Sequence, residues 1–422
     1  MTQEAGPAPS KGWPARAQDA LARLGLARAP VRPVVYGGNR IALLVNGDAY
    51  FPELLAAIEG ARRSVHLETY IFADDKIGER VVAALAAAAS RGVEVRVLID
   101  GYGGGEHARR LQRELPVHGV AVRIFRPERW WRLERKLLRR LHRKLAVVDD
   151  RIAFVGGINI VDDFKDVPPH ATGRVNPRFD FAVRLEGPIV GAVALAARRL
   201  WWTVTLMQSG EGALTPPRLS TVPQPRFADG VPASLLLRDN LRNRRTIERA
   251  YLAAIASARQ EVLIANAYFL PGRRFRAALR EAVARGVRVR LLLQGRVEYP
   301  IQHYAQRAMY GDLLGAGIEI HEYQASYLHA KVAAVDDSWA TVGSSNIEPV
   351  SLLLAREANV TVYDARFVGA LRAELERAIA QDSAALHAQD YARRGLLARL
   401  ADWGAYAIVR LATVVLARAP GY

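Results

Sequence analysis

The feature that most constrains this chain is that it is written twice. The segment LHRKLAVVDDRIAFVGGINI (141–160) aligns without a gap with LHAKVAAVDDSWATVGSSNI (328–347), a shift of 187 residues. Upstream, RGVEVRVLID (91–100) matches RGVRVRLLLQ (285–294) at a shift of 194, so the first half carries seven extra residues, placed around WWRLERK. Each RGV segment follows an Ala/Arg-rich amphipathic run, VVAALAAAAS or FRAALREAVA. Each therefore reads as a helix, a Gly near its C-terminus and then a buried strand. Before these stand two more strand-like runs, SVHLETYIF and EVLIANAYFL. Two copies of strand–helix–strand, loop and hairpin predict an α/β fold of two α/β/α lobes, each with a mixed central sheet, related by a pseudo-twofold axis. The expected boundaries are an N-terminal tail (1–32), a first lobe (33–207), a Pro- and Gly-rich linker (208–230), a second lobe (231–385) and a C-terminal amphipathic segment (386–422).

The duplicated segment carries H-x-K-x4-D in both copies: His142, Lys144 and Asp149, then His329, Lys331 and Asp336. Positions i and i+2 of a strand share a face, so each His and its Lys should point together. An ammonium beside an imidazole suits the docking of an anionic group. Asp149 and Asp336 lie an odd number of positions beyond the lysines and are expected to brace the hairpin turn. Past the turn, Gly157 and Asn159 should share one face and Ser344 and Asn346 its counterpart. Small and amide side chains there would leave room for phosphate oxygens and donate hydrogen bonds to them. A single H-x-K-x4-D says little. Two inside a whole-domain repeat, each followed by G-x-N or S-x-N at the same offset, specify a shared site.

Composition narrows the chemistry. The 422 residues include no cysteine, which excludes disulfides, thiolate metal sites and cysteine nucleophiles. A formal charge of +17 attracts phosphates, whether on nucleic acid or on an anionic lipid surface, and basic residues crowd the stretch from Arg123 to Lys144. The N-terminus lacks the apolar core of a signal peptide, and no run reaches the roughly 20 uninterrupted apolar residues of a spanning helix. A soluble or membrane-peripheral protein that starts in the cytoplasm is expected. Segment 391–418 interleaves apolar residues with Arg394, Arg399, Arg410 and Arg418 and adds Trp403 and Tyr406. It reads either as an interfacial helix or as a helix packed on the second lobe.

The paired motifs resemble the HKD motifs of the phospholipase D superfamily. The flanking segments LETYIF, LIDGYG, DFAVRLEGPIV, ANAYFLPG, IEPVSL and EANV resemble bacterial cardiolipin synthases, over about residues 36 to 385. The resemblance implies a phosphatidyltransferase that makes cardiolipin from phosphatidylglycerol through a phosphohistidine, with His142 as nucleophile and His329 as acid and base. The residues themselves do not distinguish the two histidines. Lys144, Lys331, Asn159 and Asn346 would stabilise the phosphoryl oxygens, and no cofactor or metal is required. The family supplies a carboxylate after each motif, so Asp180 is expected to orient His142 and Glu357 to orient His329. Glu68 and Tyr70, with counterparts Asn266 and Tyr268, are candidates to line the cleft. Expected partners are phosphatidylglycerol, with phosphatidylethanolamine as a further candidate, and an anionic membrane surface; no nucleic acid is expected. The expected location is peripheral, on the cytoplasmic side of the cell membrane. A hydrolase or nuclease of the same superfamily, with water as acceptor, is the alternative.

Overall fold

The computed structural model describes residues 33–126, 140–169, 173, 175–209, 217–218, 222–239, 243–348 and 355–418. The N-terminal tail, most of the Arg-rich insertion, much of the linker and the segment PVSL fall outside the described residues.

The strands of the first half are β1 (Tyr36–Val45), β2 (Ser64–Thr69), β3 (Glu94–Asp100), β4 (Val120–Phe125), β5 (Arg140–Leu141), β6 (Lys144–Val148), β7 (Ile152–Gly156) and β8 (Phe181–Glu186). Those of the second are β9 (Val231–Arg238), β10 (Glu261–Asn266), β11 (Arg288–Gln294), β12 (Glu319–Tyr323), β13 (Lys331–Val335), β14 (Trp339–Gly343), β15 (Ala355–Val362) and β16 (Ser383–Leu386). In the first half the order is β1-β8-β7-β6-β2-β3-β4; in the second, β9-β15-β14-β13-β10-β11-β12, with β16 added at the edge. Counterparts thus follow one another in the same order. In both halves the strands around the RGV segments are parallel and the motif hairpin is antiparallel. The two runs do not form separate sheets. Strands β1 and β9 pair antiparallel and join them into one mixed sheet, which removes two exposed edges.

Local sequence explains the central pieces. β3 and β11 are almost wholly buried beyond their first residues because helices cover both faces of a parallel run. The helices Lys76–Ser90 and Arg273–Ala284 precede them, and Gly92 (φ 87°) and Gly286 (φ 84°) turn the chain through the left-handed region that a side chain would resist. Asp75 caps the first of these helices by accepting the Ile77 and Gly78 N–H groups.

Each half buries one sheet face under its own helices. A third core spans both halves and gathers Leu145, Val155, Phe179 and Phe181 with Leu263, Leu328, Val332 and Val360 under the helices Ile189–Ser209 and Ala365–Asp382. The first of those helices bears on the reading that no uninterrupted apolar run is long enough to span a membrane. Over Ile189–Gln208 it is long and apolar enough, by length and composition, to cross a membrane. Ile189, Val190, Val193, Ala194 and Ala197 are nevertheless buried in the shared core, and Arg198 interrupts the run to pair with Asp150 at 2.6 Å. It serves as a core helix.

Candidate active site

The histidines do not lie on the motif strands, as the i, i+2 argument assumed. His142 and His329 occupy the irregular residues just before β6 and β13, and Asn159 and Asn346 follow just after β7 and β14. The chemistry-bearing residues therefore cluster where the chain leaves the sheet and backbone groups are free to be re-paired.

Four ties hold each histidine. The amide of the preceding Leu donates to the last residue of the RGV strand: Leu141 N–H to Asp100 Oδ2 (2.6 Å), Leu328 N–H to Gln294 Oε1 (3.0 Å). The histidine's own N–H donates across to the other half, from His142 to the Arg356 carbonyl (3.0 Å) and from His329 to the Phe179 carbonyl (2.9 Å). The lysine two residues on turns back, Lys144 Nζ donating to the His142 carbonyl at 2.9 Å and Lys331 Nζ to the His329 carbonyl. The ring meets a carboxylate, with His142 Nδ1 3.2 Å from Glu357 Oε1 and His329 Nδ1 2.6 Å from Asp180 Oδ2.

The last tie reverses the expected pairing. Asp180 serves His329 and Glu357 serves His142. The backbone enforces the exchange: β5 pairs in parallel with the start of β15, and Phe179 bridges in parallel to Leu328. Each histidine is thus set beside the residue preceding the other half's carboxylate. Two short inter-half bridges bring both motifs to one cleft. With Nδ1 engaged by a carboxylate, Nε2 is the nitrogen left to face a reacting atom.

The carboxylates are supported differently. Glu357 is wholly buried, which alone would raise its pKa, yet His142, Arg238 and Lys144 hold it below the ordinary value. Arg238 lies 3.4 Å from Oε1, and the Ser344 hydroxyl donates to Oε2 at 2.6 Å. Ser344 is therefore committed to Glu357, a correction to its expected contact with phosphate. Asp180 accepts the Phe181 N–H at 2.8 Å and lies under Gly157, where a Cβ would come within 2.2 Å of its oxygen. Burial pushes Asp180 up to about 6, against the pull of Lys331.

Burial also governs the other ionisable groups. It pushes His142 down to about 4, helped by Lys144, and His329 well below the ordinary imidazole value, helped by Lys331 and Lys144. Lys144 falls to about 7 through burial and the charge of Lys331, and Lys331 falls to about 8 through burial. Two neutral imidazoles, two lysines and two carboxylates leave the cluster close to neutral. An incoming phosphodiester monoanion would favour every protonated form around it and draw a proton onto an imidazole.

Asp149 and Asp336 brace the hairpins and stay out of the cleft. Asp149 accepts the N–H groups of Arg62, Arg63 and Ser64 at 2.8–2.9 Å; Asp336 accepts those of Arg259, Gln260 and Glu261 at 2.9–3.0 Å. Asn159 gives its oxygen to the Ile71 N–H (3.1 Å), which turns its amide nitrogen into the available donor. Asn346 keeps a buried side-chain oxygen without a partner among the described residues. Tyr70 borders the site, its ring 5.0 Å from that of His142 and 5.3 Å from Lys144 Nζ. Glu68 does not line the cleft as a free group: it forms a buried ion pair with Arg143, with His66 at 3.2 Å. The strand register makes Ala265 and Ala267, not Asn266 and Tyr268, the counterparts of Glu68 and Tyr70, a correction by one residue; Asn266 accepts the Ile347 N–H, and Tyr268 donates to Glu298, which pairs with Arg178. Sequence reasoning missed Asp100, Gln294, Arg143, Arg178 and Arg238. The first two carried a signal, a polar residue closing an apolar strand at the same place in both repeats.

Comparison with known proteins bears on this geometry. A family model described as "Cardiolipin synthase, PLD-like domain" matches residues 54–163 and 251–379. Cardiolipin synthase B of Escherichia coli K12 is 41% identical over 356 residues, covering 82% of this chain and 81% of that protein. Cardiolipin synthase 2 of Bacillus cereus is 32% identical over 364 residues, covering 85% and 68%. Among solved structures, the phosphatidylserine synthase of Haemophilus influenzae Rd KW20 shares the fold, with a TM-score of 0.65 at 13% identity over 95% of this chain and 100% of that one.

Proposed function

The chain belongs to the cardiolipin synthase family with phospholipase D-like domains, and from that premise we propose that it moves a phosphatidyl group onto the primary hydroxyl of phosphatidylglycerol to give cardiolipin, through a phosphohistidine on His142. The observation that carries the reading is the crossed pair of histidine–carboxylate contacts, which commits both imidazoles to one buried cluster with Lys144 and Lys331.

In the first step the Nε2 lone pair of His142 attacks phosphorus. The bond from phosphorus to the leaving head-group oxygen breaks, and that oxygen takes a proton from His329 Nε2. In the second, His329 removes the proton of the phosphatidylglycerol hydroxyl, its oxygen attacks phosphorus, and the P–N bond breaks. Lys144, Lys331 and the Asn159 amide stabilise the phosphoryl oxygens through both steps. The unlike carboxylates suit the two roles. A phosphorylated imidazole is cationic and gains from the firmly anionic Glu357. An acid and base gains from a partner such as Asp180, which burial raises to about 6.

The enzyme works peripherally at an anionic bilayer, on its cytoplasmic side. Purified protein incubated with phosphatidylglycerol vesicles, with and without phosphatidylethanolamine, should yield cardiolipin by mass spectrometry. Phosphatidic acid as the sole product would make it a hydrolase instead. His142→Ala and His329→Ala should each lower turnover by roughly 10⁴-fold or more. Near-normal turnover in either variant would sink the two-histidine scheme.

A further inference from the structure

The helix Leu396–Arg418 has two apolar stripes. One faces the protein: Ala405 is buried, Tyr406 and Val409 pack against the second half's core, and Asp402 is buried with Arg394 at 2.5 Å. Tyr391 fixes the helix further by donating to the Arg307 carbonyl. At about 100° per residue, Leu397, Leu400, Trp403, Ile408 and Leu411 fall on the opposite side. Those five side chains are each at least 56% exposed. A helix already anchored by one stripe has no folding reason to hold a second in water, and a contiguous exposed apolar patch marks an interaction surface.

The surface continues to the cleft. The C-terminal helix lies against the helix Pro300–Arg307, whose Ile301 and Tyr304 are also exposed. Immediately before that helix comes Tyr299, half exposed, with its ring 5.9 Å from that of Tyr268. Tyr268 donates to Glu298, Glu298 pairs with Arg178, and Arg178 stands two residues before the Asp180 that holds His329. On the His142 side, exposed Tyr102 lies under Arg140 at 4.6 Å.

We propose that this continuous face, from the outer stripe of the C-terminal helix to the aromatic rim of the cleft, docks on an anionic bilayer, so that phospholipid head groups reach the histidines without leaving the membrane. The proposal rests on the reading of the substrate as a lipid. Charge decides the occupant. Arg393 and Arg399 are exposed beside the stripe, and Arg410 flanks it, on a chain of formal charge +17. Asp402, the one acid in the helix, is turned inward to Arg394 and offsets none of that outer charge. Two such faces would repel each other, whereas an anionic lipid surface attracts both the arginines and the interfacial Trp and Tyr rings.

The test uses the full chain and the variant Leu397→Glu/Leu400→Glu/Leu411→Glu, with a milder variant carrying Ser at the same positions. Sedimentation with phosphatidylcholine vesicles containing phosphatidylglycerol should show binding by the parent and roughly tenfold or greater loss in both variants. Both should keep the parent's thermal unfolding transition and its turnover of monomeric dibutyryl phosphatidylglycerol. Undiminished vesicle binding by a folded variant would overturn the proposal. So would a parent dimer that becomes monomeric in the variants by sedimentation velocity, since the face would then be a self-contact. If vesicle binding behaves as expected but the parent produces no cardiolipin-type product from either lipid form, the substrate reading fails and the docking face stands.

Discussion

The two motif regions are alike in backbone and unlike in charge. Around both histidines the same four ties recur, down to the Leu amide held by Asp100 or Gln294. Behind them the halves diverge. Glu357 is anchored by Arg238 and Ser344 and kept anionic, whereas Asp180 has a backbone amide and a glycine beside it and is pushed up to about 6. A second difference lies under His142, where Arg143 and Glu68 form a buried pair against which the second half sets Ala330 and Ala265. Duplication thus supplies two equivalent placements, and substitution behind them makes the histidines chemically distinct. Two imidazoles in opposite protonation states are what an attack followed by a proton transfer needs.

The comparison breaks most visibly at the carboxylates. Glu357→Gln and Asp180→Asn should each lower kcat by about 10²–10⁴-fold, since an imidazole without its carboxylate loses both its tautomer and the stabilisation of its cation. The crossing gives each a separate signature. In ¹⁵N spectra of the histidine rings, Glu357→Gln should move the His142 Nδ1 resonance and Asp180→Asn that of His329. The opposite assignment would restore the same-half pairing expected from the sequence.

That expectation failed for a physical reason. Within one half, Asp180 follows His142 in chain order, and the repeat places Glu357 similarly after His329. Nothing in the periodicity of either segment shows that residues 140–141 pair with residues 355–356, because the contact is a two-residue bridge between distant parts of the chain. The fold was far more legible. Helix, Gly and strand around each RGV, the motif hairpins and the bracing role of Asp149 and Asp336 follow from local pattern. The flanking strands β1 and β9 were not legible as the join between halves, since pairing of two edges leaves no periodic trace. The site was legible in its residue types and illegible in its wiring.

The pH profile sharpens the comparison next. For kcat/KM on a monomeric short-chain phosphatidylglycerol, the groups of the free enzyme govern the limbs. As the acid, His329 needs the proton that its pair with Asp180 gives up as pH rises through about 6, so activity should begin to fall above that value. The lysines, lowered to about 7 and 8, lose their charge as pH rises further, which steepens this alkaline limb. Each ionisation should contribute about tenfold per pH unit. Lys144→Arg, whose charge persists, should move the alkaline limb upward, and an unmoved limb would remove Lys144 from the phosphate site.

Arg143 tests the asymmetry as stability. Its guanidinium pairs with Glu68 at 2.8 Å and donates to the Ala196 carbonyl at 3.0 Å, tying the motif to the helix Ile189–Ser209. Both partners of the pair are nearly inaccessible. Arg143→Ala should cost about 3–5 kcal/mol in denaturant unfolding, because it leaves a carboxylate buried without its principal cation. The double variant Arg143→Ala/Glu68→Ala, which imitates Ala330 and Ala265 of the second half, should recover most of that loss. Without recovery, the cost belongs to the packing of the Arg side chain.

The smallest effect is expected where the halves agree. Asp149 and Asp336 each take three backbone N–H groups from the turn that enters β2 or β10, with the chain at φ 54° and 46°. An Asp tolerates that left-handed conformation better than most side chains, and its carboxylate gathers amides that would otherwise point at one another. These amides lie near solvent, so water replaces part of what is lost. Asp149→Asn and Asp336→Asn should each cost about 1–2 kcal/mol, equal within error, with kcat changed less than about twofold. Equality is the sensitive part. The hairpin braces share backbone angles, acceptor geometry and exposure, so unequal costs would mean that one half depends on its turn more than the other. A large loss of kcat in either variant would place that aspartate in the chemistry, in conflict with its position at the far end of the motif strand.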